Sequence, residues 1–309
     1  MVASKKNGNL HKARAVKNDE FYTRLTDIEK ELVHYREHFR GKTVFCNCDD
    51  PAESNFWLYF SLNFEFLGLK KLVSTHYDAT RPTYKLERTG PTDADVIRTP
   101  LKQNGDFRSD ECIALLQEAD IVVTNPPFSL FREYVAQLMA YDKEFLIIGN
   151  MNAITYKEIF PLIKDNKMWL GVTTGARSFI IPDHADYRPD EKIIDGKRCV
   201  TLGNTCWFTN LSHKKRNPPL DLYRRYKGNE DKYPKYDNYD VIEVSKVADI
   251  PYDYEGVMGV PVTFLEKYNP NQFEILGIAN SARWIGYECL TLINSKKIYN
   301  RLLVKLKLQ

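Results

Sequence analysis

A chain of 309 residues, 43% hydrophobic, is long enough for one large or two modest domains and can bury a core. It has no run of about 18 apolar residues to span a membrane, and its first residues, MVASKKNGNLHKARAVK, lack the apolar stretch of a secretion signal. A net charge of +3 argues for no partner by itself, and six cysteines without a CxxC pair point to reduced core thiols in a cytoplasmic setting rather than to a metal or redox centre.

Taken in chain order, Asp27 to Phe39 has a helical pattern with Thr26 as its cap. Thr43–Cys48 reads as strand, Asn55–Leu67 as helix capped by Ser54, and Lys71–His76 as strand. Glu111–Glu118 is helical, Ile121–Thr124 a strand, Leu130–Tyr141 a helix, Glu144–Gly149 a strand and Tyr156–Asp165 a helix. Met168–Val172, Arg177–Ile181, Val200–Leu202 and Cys206–Thr209 follow as strands with no helices between them. The alternation predicts an α/β fold, a doubly wound, mostly parallel sheet with an antiparallel edge. After about Leu211 the pattern becomes irregular, which sets the expected boundary between a domain of residues 1–210 and a smaller region of residues 211–309. No GxGxxG follows a strand and no P-loop is present, so a standard dinucleotide fold is not expected.

Charge is unevenly placed. Residues 1–17 carry five Lys or Arg and no acid, and residues 211–236 carry eight bases against three acids, interleaved with tyrosines. The last fifteen residues carry five bases and no acid. Such clusters suit phosphate contact and base stacking. Lys214, Lys215, Arg216, Arg224, Arg225 and Arg283 are the candidate DNA contacts, the last three also as base readers.

The stretch ADIVVTNPPFSLFREY carries the chemistry. A β-branched strand stops at Asn125, and Pro126 and Pro127 force the chain out of the sheet in a stiff, extended turn. In an open α/β sheet this carboxyl end is where ligands bind. The loop offers a side-chain amide, carbonyls outside the ladder and the Phe128 ring.

Asn125-Pro126-Pro127-Phe128 resembles the catalytic motif of the DNA adenine-N6 methyltransferases that use S-adenosylmethionine, and the chain is most similar to the EcoRI-type group. The strings CNCDDP, NPPFSLFREY, FLIIGN, YPKYDNYD and GVMGVPVTFL carry that likeness over nearly the whole chain. The resemblance implies a Rossmann-like catalytic domain, a carboxyl-terminal target-recognition region, double-stranded DNA as partner and S-adenosylhomocysteine as product, with no metal. It implies cofactor contacts at Phe21, Tyr22 and Thr23, within KNDEFYT, and at Asp106 and Phe107, within GDFRS. Asp49 and Asp50 after the first strand and Asp78 after the second are further cofactor candidates, although the glycine-rich form of the first motif is absent. Phe131, Leu138 and Trp207 are candidates to line the cofactor or base pockets or to pack the core. The likeness also suggests the site GAATTC, pairing with a restriction endonuclease, monomeric action and a prokaryotic or phage source.

The residues fit that chemistry. Adenine's exocyclic amine is a poor nucleophile because its lone pair is delocalised. Acceptors at the Asn125 side chain and the Pro126 carbonyl would draw it towards a tetrahedral state and stabilise the developing charge. Phe128 can stack on the base, which must be flipped from the duplex to reach the loop. Competing readings are methylation of RNA or of a protein glutamine, and a DNA-binding relative without catalysis.

Overall fold

The computed structural model describes residues 21–48, 50–182, 185–279 and 291–307. The chain forms two compact units, one of Met1–Ala153 and Gly171–Leu211, the other of Ile154–Leu170 and Ser212–Gln309.

The first unit is built on a ten-stranded sheet. Its strands are β1 (Tyr22–Thr23), β2 (Thr43–Cys46), β3 (Lys71–Thr75), β4 (Tyr84–Arg88), β5 (Val96–Pro100), β6 (Ile121–Thr124), β7 (Glu144–Asn150), β8 (Trp169–Ile180), β9 (Glu191–Ile194) and β10 (Lys197–Thr209). The order is β1-β8-β10-β7-β6-β2-β3-β4-β5, with β9 paired to β10. Parallel pairing joins β3, β2, β6 and β7 at the centre. The flanks are antiparallel, with β10 on β7 and β4 and β5 continuing from β3. The α/β class with a parallel centre is therefore present, and antiparallel pairs extend it on both sides.

The helices are α1 (Leu25–Leu32), α2 (Asn55–Leu62), α3 (Phe64–Leu67), α4 (Asp110–Glu118) and α5 (Phe131–Ala140). Alternation along the strands sends Val44, Ile121, Val123, Leu146, Ile148 and Trp207 into one core with Ile28, Phe56 and Phe60 of α1 and α2. The other face carries Val122, Ile147 and Phe208, and Phe131 of α5 packs on Phe208 with ring centroids 5.0 Å apart.

Several elements depart from the sequence reading. Thr26 lies inside α1, and Arg24 occupies the cap position without a side-chain bond. The helix stops at Leu32 because Tyr35 leaves helical backbone (φ −122°) and turns its ring into the core. The helix expected over Asn55–Leu67 breaks at Asn63 and ends on Gly68 in the left-handed region (φ +63°); Ser54 caps α2 as expected, accepting from Phe56 N (3.2 Å) and Trp57 N (3.5 Å). The four late strands merge into two, β8 and β10, which run unbroken through Thr173–Gly175 and Gly203–Asn204. The β4–β5 hairpin adds two strands beyond the sequence reading; β4 (YKLER) is rich in charge and β5 (VIRTP) lies at the sheet edge.

One buried acid ties this frame together. Glu31, 0% exposed, accepts from Val172 N, Thr173 N and Thr173 Oγ1, each at 2.7 Å, and from Tyr35 Oη at 2.9 Å. Glu31→Gln keeps one acceptor and sets an amide donor against an N–H. The expected cost is about 1–3 kcal/mol, read from thermal or urea unfolding.

The second unit holds α6 (Phe160–Lys164) and a four-stranded sheet. Its strands are β11 (Val241–Glu243), β12 (Val257–Pro261), β13 (Phe273–Ala279) and β16 (Arg301–Leu306), in the order β11-β12-β16-β13. A short hairpin of β14 (Leu292–Ile293) and β15 (Lys296–Lys297) stands beside it in sequence.

Candidate active site

The carboxyl ends of β2, β3 and β6 lie side by side because these strands are parallel neighbours. Asn47–Cys48, His76–Asp78 and Asn125–Phe128 therefore face the same edge of the sheet. Asn125 is 7% exposed. Its Nδ2 donates to the Phe21 carbonyl at 2.6 Å, while its Oδ1 is buried with no hydrogen-bond partner among the described residues. A buried acceptor left unpaired is costly unless something else meets it. The amide is held from the other side of the sheet order: β1 pairs with β8 at Thr23↔Phe179, and Asn55 Nδ2 donates to the Thr23 carbonyl at 2.7 Å. Phe21, Tyr22 and Thr23 are thus brought to the Asn125 loop from more than a hundred residues away. Thr23 Oγ1 is likewise buried and unpaired.

Proline does the expected work in the turn. Pro126 is buried, and the Pro127 carbonyl accepts from Leu130 N at 2.9 Å to open the short 3₁₀ turn before α5. Phe128 is half-buried, its ring edge-on to Phe179 at 6.3 Å, and Phe179 also meets Phe21 at 6.4 Å. The loop is aromatic on one side and amide-lined on the other.

A second wall forms after β2 and β3. Asp50 Oδ1 accepts from Tyr84 Oη (3.0 Å) and Ala52 N (2.9 Å), and its Oδ2 lies 3.6 Å from His76 Nε2. Burial pushes the His76 imidazole below its ordinary value, against the pull of Asp50 and Asp78. Its Nδ1 is buried with no hydrogen-bond partner among the described residues. Burial would raise Asp78, but bonds from Thr80 N and Oγ1 and from Arg81 N and Nε outweigh it and hold the carboxyl well below the usual range. That set satisfies both Asp78 oxygens locally, as in a tight turn.

Gly105 closes this wall. Its φ is +72°, and a Cβ there would sit 1.9 Å from the His76 carbonyl oxygen. Asp78 N donates to Asn104 O at 3.0 Å across the same contact. Asp106 is held by Arg108, whose Nε (2.8 Å) and Nη2 (2.6 Å) reach its two oxygens and keep its carboxyl below its ordinary value. Arg108 also reaches Glu133, at 3.2 Å. Phe107 is buried, edge-on to Tyr134 at 5.0 Å, and the Tyr134 hydroxyl donates to Asn47 Oδ1. Asn47, Asn55, His76 and Tyr84 join the site without standing out in the sequence, and Gly105 joins it from within the GDFRS motif. Asn47 and His76 follow a strand and Asn55 starts a helix, whereas nothing local marks Tyr84.

Residues 9–305 match the model of the family described as adenine-specific methyltransferase EcoRI. The chain belongs to this family. It is 48% identical to the type II methyltransferase M.EcoRI of Escherichia coli, over 99% of each chain. It is 42% identical to the type II methyltransferase M.MgeORF184P of Mycoplasma genitalium, over 87% of this chain and 85% of that one. It is 43% identical to the type II methyltransferase M.MpnI of Mycoplasma pneumoniae, over 86% and 84%.

The remaining candidates of this family member lie elsewhere. Phe131, Leu138 and Trp207 are all at most 2% exposed and belong to the core; Trp207 meets Phe56 edge-on at 6.0 Å. Lys214 and Lys215 are exposed in the second unit, where Arg216 stacks over Trp169 at 3.6 Å and bonds Asn166. Arg224 and Arg225 pair with Asp249 (3.2 Å) and Asp253 (3.4 Å). Asp49, Arg283 and residues 17–20 lie outside the described residues. Among the described residues no group of three or more His, Cys, Asp or Glu is placed to hold a metal, and no helix is long and apolar enough to cross a membrane.

Proposed function

We propose that this chain transfers a methyl group from S-adenosylmethionine to N6 of an adenine flipped from duplex DNA, as the modification enzyme of a type II restriction-modification system. The observation that carries the reading is the Asn125 amide. Its nitrogen is spent on the Phe21 carbonyl, so its buried, unpaired oxygen is the end presented to a ligand. An exocyclic amine brings two N–H donors and would meet that oxygen and the Pro126 carbonyl together. The two acceptors favour a pyramidal nitrogen and stabilise the positive charge that grows on it, in a turn that prolines keep from reorganising. Phe128 supplies the face on which the base stacks.

The residues present suit the cofactor. Unpaired Thr23 Oγ1 and His76 Nδ1 are polar atoms that a ligand could satisfy, and Asp50 and Asp106 place carboxylates at the same end of the sheet. Thr23 and Asp50 would hold its methionine and ribose parts, and Asp106 and Phe107 its adenine. When bound, the group supplies an electrophilic methyl on a sulfonium, so the chain need provide no covalent nucleophile. The methylated cationic nitrogen loses its proton readily, so no strong base is required.

Residues 1–210 would carry cofactor and catalysis and residues 211–309 the target recognition, with the enzyme acting as a monomer in the cytoplasm beside a nuclease of the same specificity. The basic second unit and the type II relatives favour DNA over RNA or protein. The test is transfer of labelled methyl from S-adenosylmethionine to duplex DNA, RNA and a protein extract in parallel. Label in duplex DNA alone supports the proposal; label in RNA or protein alone defeats it.

Two smaller effects should accompany this activity. Asp106→Ala should weaken cofactor binding by about 1.5–3 kcal/mol, the loss of one bond to a charged group. Calorimetry that finds an unchanged Kd would leave Asp106 as an anchor for Arg108 only. Lys214→Ala with Lys215→Ala should lower the log–log salt slope of DNA binding by about 0.9 for each phosphate no longer neutralised. Arg216 is better left in place, because its ring contact with Trp169 packs the second unit.

A further inference from the structure

The second unit contains a cavity of about 520 Å³ that the proposed chemistry does not use. Tyr223, Arg224, Arg225 and Lys232 line it, together with the acids Glu243 and Asp249. Its size falls among ligand-binding pockets, roughly 300–1,000 Å³. Its charge is arranged in an informative way. Arg224 approaches Asp249 through Nε (3.2 Å), and Arg225 approaches Asp253 through Nε (3.4 Å). Each acid thus engages the inner nitrogen and leaves the terminal amino groups of the fork to a ligand.

Asp253 is itself fixed. Asp253 accepts from Tyr226 N (2.5 Å) and Lys227 N (3.2 Å), and the Arg224 carbonyl accepts from Tyr252 N (3.0 Å). The Asp249 carbonyl accepts from Tyr233 Oη (3.0 Å). The Arg225 guanidinium therefore meets an acid held by backbone N–H groups, and the Tyr233 hydroxyl ties the main chain at Asp249.

An acid beside an arginine has opposite consequences for two kinds of ligand. It cancels charge, which weakens attraction to phosphate. It also fixes the fork, which sharpens recognition of a pair of acceptors in one plane. Guanine presents such a pair in the major groove, O6 and N7, and arginine is its commonest reader. Lys214, exposed and without an ion pair among the described residues, shows the contrasting phosphate-contact arrangement. Tyr223, 79% exposed, adds a ring at the rim.

We propose that this cavity is a guanine-recognition site for the target duplex, in which Arg224 and Arg225, aimed by Asp249 and Asp253, read the O6/N7 edge. The inference rests on duplex DNA being the substrate. The experiment measures methylation by the wild type and by Arg224→Ala, Arg225→Ala and Asp249→Asn on the mapped target, on its single-base variants, and on duplexes with 7-deazaguanine at each guanine in turn. Wild-type methylation of the target is the control; its absence would defeat the proposed function rather than this site. At one guanine, 7-deazaguanine should slow the wild type about tenfold to a hundredfold, and one or both arginine variants should be indifferent to that change. Asp249→Asn should lose discrimination at the same guanine while binding non-target duplex at least as well as the wild type. Arginine variants that weaken all duplexes alike with a lower salt slope would make these residues phosphate clamps. That result, unchanged site ranking in every variant, or a target without guanine would overturn the proposal.

Discussion

Asn125→Ala is expected to slow single-turnover methyl transfer about 10²–10³-fold, the loss of one acceptor aimed at the reacting nitrogen. The structure adds a second consequence. Asn125 Nδ2 also holds the Phe21 carbonyl, so alanine releases the segment Phe21–Thr23 as well. Asn125→Asp separates the two roles, because it keeps an oxygen acceptor and loses the donor to Phe21. If the acceptor dominates, alanine damages the rate far more than cofactor affinity. If positioning dominates, both variants lose cofactor affinity to a similar extent. Rapid-quench rates beside calorimetric Kd values distinguish these outcomes, and a wild-type rate in the alanine variant would remove Asn125 from catalysis.

Gly105→Ala should be nearly as damaging, by a different route. The left-handed backbone alone costs about 1–2 kcal/mol for an L residue. The added Cβ would stand 1.9 Å from the His76 carbonyl oxygen, a backbone atom that cannot swing aside, so the Asn104–Asp106 turn must move. That movement displaces Asp106 and Phe107 together and breaks the Asp78 N to Asn104 O bond. A displacement near 1 Å is enough to cost roughly a hundredfold in the rate of transfer, beside the loss of cofactor contacts. Cofactor affinity is the readout, with thermal unfolding measured alongside; an affinity within about twofold of the wild type would show that the turn tolerates the methyl group.

Much of the site is legible in the sequence because it is local. A β-branched run broken by Asn125-Pro126-Pro127 names a strand end and a rigid turn without any knowledge of neighbours. The parallel centre of the sheet follows from the same alternation. What escapes depends on distant partners. Asn125 looks like any amide until Phe21 takes its nitrogen, and Glu31 looks like a solvated helix acid until β8 supplies two N–H groups. Tyr84 stands in a charge-rich hairpin, and nothing local in the sequence shows that it bonds Asp50. Asp78 is expected from sequence to face a ligand, and the structure adds that its oxygens hold Thr80 and Arg81 of its own turn. The second sheet is hidden because loops rich in Tyr, Pro and Asn separate its strands, without the alternating helices that mark the first sheet.

Base-resolved mapping of N6-methyladenine, on a plasmid incubated with this enzyme and S-adenosylmethionine, reads the proposed reaction itself. One adenine within one short sequence should be modified, on both strands, and almost none when Asn125→Ala is used under the same conditions. Methylation of cytosine, of adenines without regard to sequence, or to the wild-type level by the Asn125→Ala enzyme would contradict the proposed function.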